Sequence, residues 1–208
     1  MKVITIDFDI IMAPSIDLYN NIASSPWEER FKRHPLLKLA DADYNIYHKL
    51  TQYLLYVVPK MNKNNIHFIA NHQNVLNYLI NTKEPIDVIN IDHHHDIIYN
   101  GNLEELACDN WVAWIDKEYK LNSYLWVHNE NSRFVTNKNV EKVKFDYNKK
   151  CFYDYKHETY KQYSIPDKLI ICLSGEWVPP QYKPLFFIWF DICNQIHNTH
   201  YELEDVKK

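Results

Sequence analysis

Short apolar runs and helically spaced apolar positions take turns along this chain. "KVITIDFD" (2–9) is β-branched and apolar, the composition of a buried strand. Through "DADYNIYHKLTQYLLYVV" (41–58) the apolar residues recur at helical spacing, which predicts a helix capped by Asp41 or Asp43. "NIHFIAN" (65–71) predicts a strand, "QNVLNYLINT" (73–82) a helix, and "IDVINID" (86–92), introduced by Pro85, a further strand. "NWVAWIDKEYK" (110–120) predicts a helix, "KLIICLS" (168–174) a strand, and "QYKPLFFIWFDICNQI" a closing helix that Pro184 shortens. The stretch 121–160 is rich in Asn, Lys and Tyr and offers only strand-like pieces such as "SYLWV" and "KVKFDY". The charged tail "YELEDVKK" is expected to fray. Strand and helix thus alternate, which implies an α/β fold with a mainly parallel sheet covered on both faces. No repeat or low-complexity linker divides the chain, so residues 1–208 are expected to form a single domain.

Composition narrows the picture by exclusion. Apolar residues make up 46% and aromatics 15%, ample for a packed core and unlike a disordered chain. The formal net charge of -4 provides no basic field, so no nucleic-acid partner is expected. Only two glycines occur, Gly101 and Gly175, too few for a dinucleotide fingerprint or a phosphate-cradling loop. Cys108, Cys151, Cys172 and Cys193 are widely spaced, with no CxxC pair, as expected of free thiols in a reducing compartment. "MKVITIDFDI" places acidic residues beside its apolar run and does not resemble a signal peptide. The longest apolar stretch, "PLFFIWFDIC", is short and interrupted by Asp191, so no membrane span is expected. A cytoplasmic location follows as the expectation.

The chemistry gathers at strand ends. "NIDHHHDI" (90–97) sets three histidines between two aspartates directly after an apolar strand. Residues two apart in a strand point the same way, so Asp92, His94 and Asp96 form one set and Asp7 and Asp9 another. His93 and His95 then point away and are assigned to support. His72 lies just past "NIHFIA". Carboxyl ends of parallel strands share one edge of the sheet, where ligand sites form. If these three strands are neighbours, four aspartates and two histidines converge there. Four clustered carboxylates repel and resist burial, and two divalent cations would balance them. A donor set of oxygen and imidazole without thiolate favours manganese, or iron, over structural zinc. Two such ions about 3.5–4 Å apart can activate a shared water for hydrolysis.

These residues resemble the ureohydrolase superfamily of arginases, agmatinases and deacetylase-like enzymes. That family's metal pattern is a histidine after one strand, DxHxD after the next, and DxD followed shortly by proline. The counterparts here are His72 in "IANHQNVL", Asp92, His94 and Asp96 in "IDHHHD", and Asp7 and Asp9 in "TIDFDIIMAP". Together "NHQNVLNYL", "INIDHHHDI", "DNWVAWI" and "SGEWVPP" most resemble a branch containing peptide arginases, which convert peptidyl arginine to ornithine and urea. Two features depart from ordinary arginases: DxD precedes DxHxD, as if the strand order were permuted, and "IAN" replaces a glycine-rich approach to the first histidine.

The resemblance implies a three-layer α/β/α, arginase-like fold and a two-manganese centre. His72, Asp92, Asp96 and Asp7 would hold one ion; His94, Asp9 and the shared Asp92 and Asp7 would hold the other. Glu176 in "SGEW" is the candidate for gripping the guanidinium, since carboxylate and guanidinium make a planar two-point contact. Asp96 is the candidate proton relay to the departing amine. Trp111 and Trp177 are candidate pocket walls, and Asn110 either orients a substrate or caps a helix. The expected substrate is an arginine-containing peptide or a small guanidino compound. Two other readings stand beside it. A DHH-type phosphoesterase fits "DFD" and "IDHH" but gives His72 and Asp96 no role. A non-catalytic, metal-stabilised binding protein would keep the ligands without turnover.

Overall fold

The computed structural model describes residues 1–13, 41–79, 81–98, 103–118, 121–128, 152–154, 165–175 and 178–204. The first strand, β1 (Lys2–Asp7), is followed by a 3-10 turn (Phe8–Ile11) and by β2 (Met12–Ala13), which pairs antiparallel with β3 (Asp41–Ala42). Then come helix α1 (Tyr44–Val57), β4 (Ile66–Ile69), a second 3-10 segment (His72–Tyr78) and β5 (Ile86–Ile91). Helix α2 (Trp111–Glu118), β6 (Leu121–His128), β7 (Phe152–Asp154), β8 (Lys168–Cys172), helix α3 (Lys183–His197) and β9 (Leu203–Glu204) complete the order.

Seven strands form one sheet in the order β7-β6-β5-β1-β8-β4-β9, and each of its pairings is parallel. The chain leaves β1 toward the β4 side of the sheet and leaves β5 toward the β6 side. Such a reversal of direction opens a crevice at the carboxyl ends of the two adjacent strands. Alternate strand residues serve two separate apolar clusters, as a pleated sheet requires. Ile4, Ile6, Ile89, Ile91, Leu169 and Ile171 pack with Leu50 and Leu54 of α1 and with Phe186 and Trp189 of α3. Val3, Val88, Ile170 and Cys172 pack instead with Trp111 and Ile115 of α2 and with Val75 and Leu79.

Helix α1 buries Ile46, Tyr47, Leu50, Tyr53, Leu54 and Val57, one stripe at helical period. Its cap is Asp43, whose carboxylate accepts from the N–H groups of Asn45 (2.9 Å) and Ile46 (3.1 Å). Asp41 lies in β3. Replacing Asp43 by alanine is expected to cost about 1 kcal/mol, a fall in melting temperature of roughly 2–4 °C for a chain of this size, readable in a thermal melt.

Three sequence expectations change. The 73–82 helix is a 3-10 segment ending at Tyr78, closed by the Leu79 N–H donating to Leu76 O at 3.0 Å. Pro184 does not shorten α3; it stands in the first turn, where a missing N–H costs nothing. The tail does not fray at once. Asn198 ends α3 in the left-handed region (φ 45), the buried Tyr201 N–H donates to Asn194 Oδ1 at 2.7 Å, and β9 pairs along β4. Among the described residues no helix is long and apolar enough to cross a membrane.

Candidate metal centre

Three parallel strands deliver the candidate ligands: β1 and β5 are neighbours as expected, whereas β4, which leads to His72, is separated from β1 by β8. Asp7 ends β1 and caps the 3-10 turn that follows, its Oδ1 accepting from the Asp9 N–H at 3.1 Å. Asp9 therefore reaches the site through a turn, not through the pleat. The same holds across the crevice: β5 ends at Ile91, and Asp92–Asp96 lie in the turn beyond it. Asp96 has φ 47, a left-handed conformation uncommon outside glycine and most often tolerated by Asn and Asp. His72 opens the 3-10 segment after β4, with Asn71 as its cap. Between β4 and β1 lies β8, and Ser174 beyond its end is also left-handed (φ 47) and donates its hydroxyl to Asp7 Oδ2.

Around His72 Nδ1 stand three carboxylate oxygens: Asp7 Oδ2 at 3.0 Å, Asp92 Oδ2 at 3.1 Å and Asp96 Oδ2 at 2.8 Å. Yet neither ring nitrogen of this fully buried histidine makes a hydrogen bond. One N–H cannot point at three oxygens at once. Neighbouring ligands of an octahedral ion with bonds of about 2.1 Å stand about 3.0 Å apart. The spacing therefore suits a cation shared among His72, Asp7 and Asp92, with Asp96 against the same His72 ring nitrogen and not close to both other carboxylates at once. A second group lies beside the first: His94 Nδ1 is 3.0 Å from Asp9 Oδ2 and 3.9 Å from Asp92 Oδ1. Asp92 belongs to both groups, one oxygen to each.

No protein-family model, curated protein or solved structure matches this chain. Its site must be judged on its own chemistry.

Electrostatics favour the same reading. Burial raises the pKa of Asp7, and Asp9 raises it further, against the opposing pull of His72 and Ser174. Burial and then Asp92 raise that of Asp9. Asp92 is pushed up to about 7 by burial, Asp96 and Asp7. Burial opposes a charge on His72, but the surrounding carboxylates outweigh it and hold its pKa well above 6.5. Without cations the cluster must therefore carry protons, and divalent ions can replace them. His94 alone among these side chains is partly open, 26% exposed against 5% or less for the others. The second group thus faces the approach and the first lies behind it.

The remaining candidates sort by contact. Trp111 is fully buried and walls no open pocket; its indole N–H donates to Asp96 Oδ2 at 2.6 Å and its ring lies 4.9 Å from that of His72. Asn110 accepts from the Ala107 N–H (2.8 Å) and donates to Glu105 O (2.9 Å), so its amide ties down the loop before α2. The His95 ring is buried, its pKa lowered to about 3 by burial and then by His94, and its Nδ1 accepts the Ile97 N–H at 3.1 Å. It is a neutral support. Glu176, Trp177, Cys151 and "KVKFDY" fall outside the described residues.

Sequence reasoning overlooked Thr5, Asn90, Ser174, Tyr124 and Trp126, which surround the ligands. Trp126 Nε1–H donates to Asp92 O at 2.9 Å, and the Tyr124 hydroxyl donates to His95 O at 2.7 Å. A signal was present: Thr5 and Asn90 are polar residues at positions of β1 and β5 that are otherwise apolar and buried. Such residues require partners, and the partner at hand is the site.

Proposed function

We propose that this protein is a binuclear metal-dependent hydrolase that cleaves a guanidinium C–N bond, converting peptidyl arginine to ornithine with release of urea. The observation that carries the reading is the division of Asp92 between two histidine–carboxylate groups, with His72 Nδ1 inside three carboxylates and hydrogen-bonded to none. His72, Asp7 and Asp92 would hold the inner ion, joined by Asp96 as the resemblance implies, and His94, Asp9 and Asp92 the outer one. The resemblance made Asp7 a second shared ligand; here it joins only the inner group, its Oδ1 taking the Asp9 N–H. Manganese suits the oxygen-rich donor set, with iron the nearest substitute. Two such ions, when bound, supply Lewis acidity and water activated near neutral pH. The two covered faces of the sheet are compatible with a three-layer, arginase-like architecture in which the DxD strand has moved to the front of the chain.

The protein's own groups then have distinct tasks. His94 sits at the open side, where the guanidinium carbon and water arrive. Asp96, its Oδ2 held by the Trp111 indole, carries the proton toward the departing amine. Glu176 is assigned to the guanidinium by its place in "SGEW". The reaction balances as a guanidinium and one water giving a protonated amine and urea. A DHH-type phosphoesterase would leave His72 and Asp96, 2.8 Å apart within the cluster, without work to do.

The test is metal analysis of the purified chain followed by urea assay on arginine-containing peptides, free arginine and agmatine. Phosphoesters serve as the contrasting substrates. Two ions per chain and urea with ornithine from the peptide are expected. Phosphoester cleavage without urea overturns the reading in favour of the phosphoesterase. Metal uptake without turnover of any substrate favours a binding protein.

A further inference from the structure

Resting on that reading, we infer that Thr5 and Asn90 are positioning residues that keep Asp92 divided between the two ions. Asn90 is fully buried on β5, directly across from Thr5 on β1. Its Nδ2 lies 3.1 Å from Asp92 Oδ2, 3.4 Å from His94 O and 3.4 Å from the Tyr124 hydroxyl. A carboxylate and a carbonyl only accept, so the amide must turn its NH2 toward them. Its Oδ1 then faces Thr5, whose hydroxyl donates at 2.6 Å. Were the amide reversed, an oxygen would meet the Asp92 carboxylate, and the Thr5 hydroxyl would lose its acceptor. The Asp92 carboxylate and the His94 carbonyl therefore fix the sense of Asn90, the Thr5 hydroxyl anchors its Oδ1, and Asn90 in turn holds Asp92.

The arithmetic at Asp92 gives the pair its importance. Oδ2 accepts from Asn90, and Oδ1 accepts from the His94 N–H at 2.8 Å. Each carboxylate oxygen has about two acceptor sites. One on each is thus taken by an N–H, leaving one on Oδ2 toward His72 and one on Oδ1 toward His94. Rotation of the carboxylate is blocked from both sides, so it cannot collapse onto one ion as a two-toothed ligand. The Asn90 amide also holds the His94 carbonyl and so couples the turn bearing the outer histidine to the same anchor. Partners of this kind commonly account for 10–100-fold in metal affinity.

The experiment uses the full chain titrated with manganese alone, followed by ion content and by electron paramagnetic resonance, in which a coupled pair and an isolated ion differ. Asn90→Leu keeps the branched shape and removes the N–H donor. It is expected to weaken the second ion roughly 10–100-fold and to replace the coupled signal with that of a single ion. Thr5→Val should shift both readouts the same way by less, and Thr5→Ser should restore them, because only the hydroxyl is needed. Thr5→Val also keeps the test decisive if Asn90→Leu fails to fold. A coupled pair unchanged in Asn90→Leu, or in folded Thr5→Val, overturns the positioning role while leaving the metal centre standing. A wild-type chain that takes up fewer than two ions overturns the metal-centre reading, and this inference with it.

Discussion

Asp92→Ala will lose the outer manganese ion, hold the inner one at least about a hundredfold more weakly, and release no measurable urea from an arginine peptide. Among the described residues Asp92 alone is common to the two groups, so its loss removes a ligand from each. Asp7→Ala removes an inner ligand and the acceptor of Ser174, and is expected to abolish activity through the inner ion. The same Asp92 change should act oppositely on the metal-free chain at neutral pH. There it removes a carboxylate pushed up to about 7 by burial and by its neighbours Asp96 and Asp7. The metal-free variant will therefore melt higher than metal-free wild type, and the manganese-loaded variant lower than loaded wild type. Such a sign reversal is hard to obtain from a residue that merely fills the core.

Asp87, at the opposite end of the same strand, is the control. It accepts hydrogen bonds from Ser123 and Asn122, and the Ser123 contact leads in holding its pKa below the ordinary value. Asp87→Ala is expected to leave ion content and urea release unchanged. Equal metal content in Asp92→Ala and wild type, by titration and elemental analysis, would remove the bridging assignment.

The contrast between these two aspartates shows what a sequence can and cannot disclose. Strands β1, β4, β5 and β8 were legible because runs such as "KVITID" and "KLIIC" are buried on both faces of a parallel sheet and need no polar side. The helical period of α1 was equally plain. By contrast, β7 lies in a polar stretch with no such pattern, and β9 in a charged tail that pairs through its backbone. The grouping of Asp7, Asp9, His72, Asp92, His94 and Asp96 came from strand order, which spacing suggests but does not determine. Its geometric premise was different from the structure. The alternation of a strand was invoked, whereas turns beyond Asp7 and Ile91 bring Asp9, His94 and Asp96 inward. A 3-10 turn and a left-handed aspartate leave no periodic trace, so that part of the site was unreadable.

Metal-free protein will lose stability as pH rises from about 4 to 8, while manganese-loaded protein gains it over the same range. For Asp7, Asp9 and Asp92 the folded pKa lies above the unfolded value of 3.8. The native state then binds more protons than the unfolded one, and stability falls with pH. This contribution is complete below about 4 and is lost as pH climbs through the folded values, about 7 for Asp92. His72 acts in the same direction: its folded pKa is raised well above 6.5, so its contribution is complete below 6.5 and lost at higher pH. Ions bind only the deprotonated ligands, so their contribution grows as the protonic one disappears. Melting curves of chelator-treated and manganese-loaded chain, recorded at unit pH steps, should diverge steadily above pH 5. Two curves running parallel across that range would mean that protons and cations do not compete for this cluster, and the centre would have to be read as an ordinary buried hydrogen-bond network.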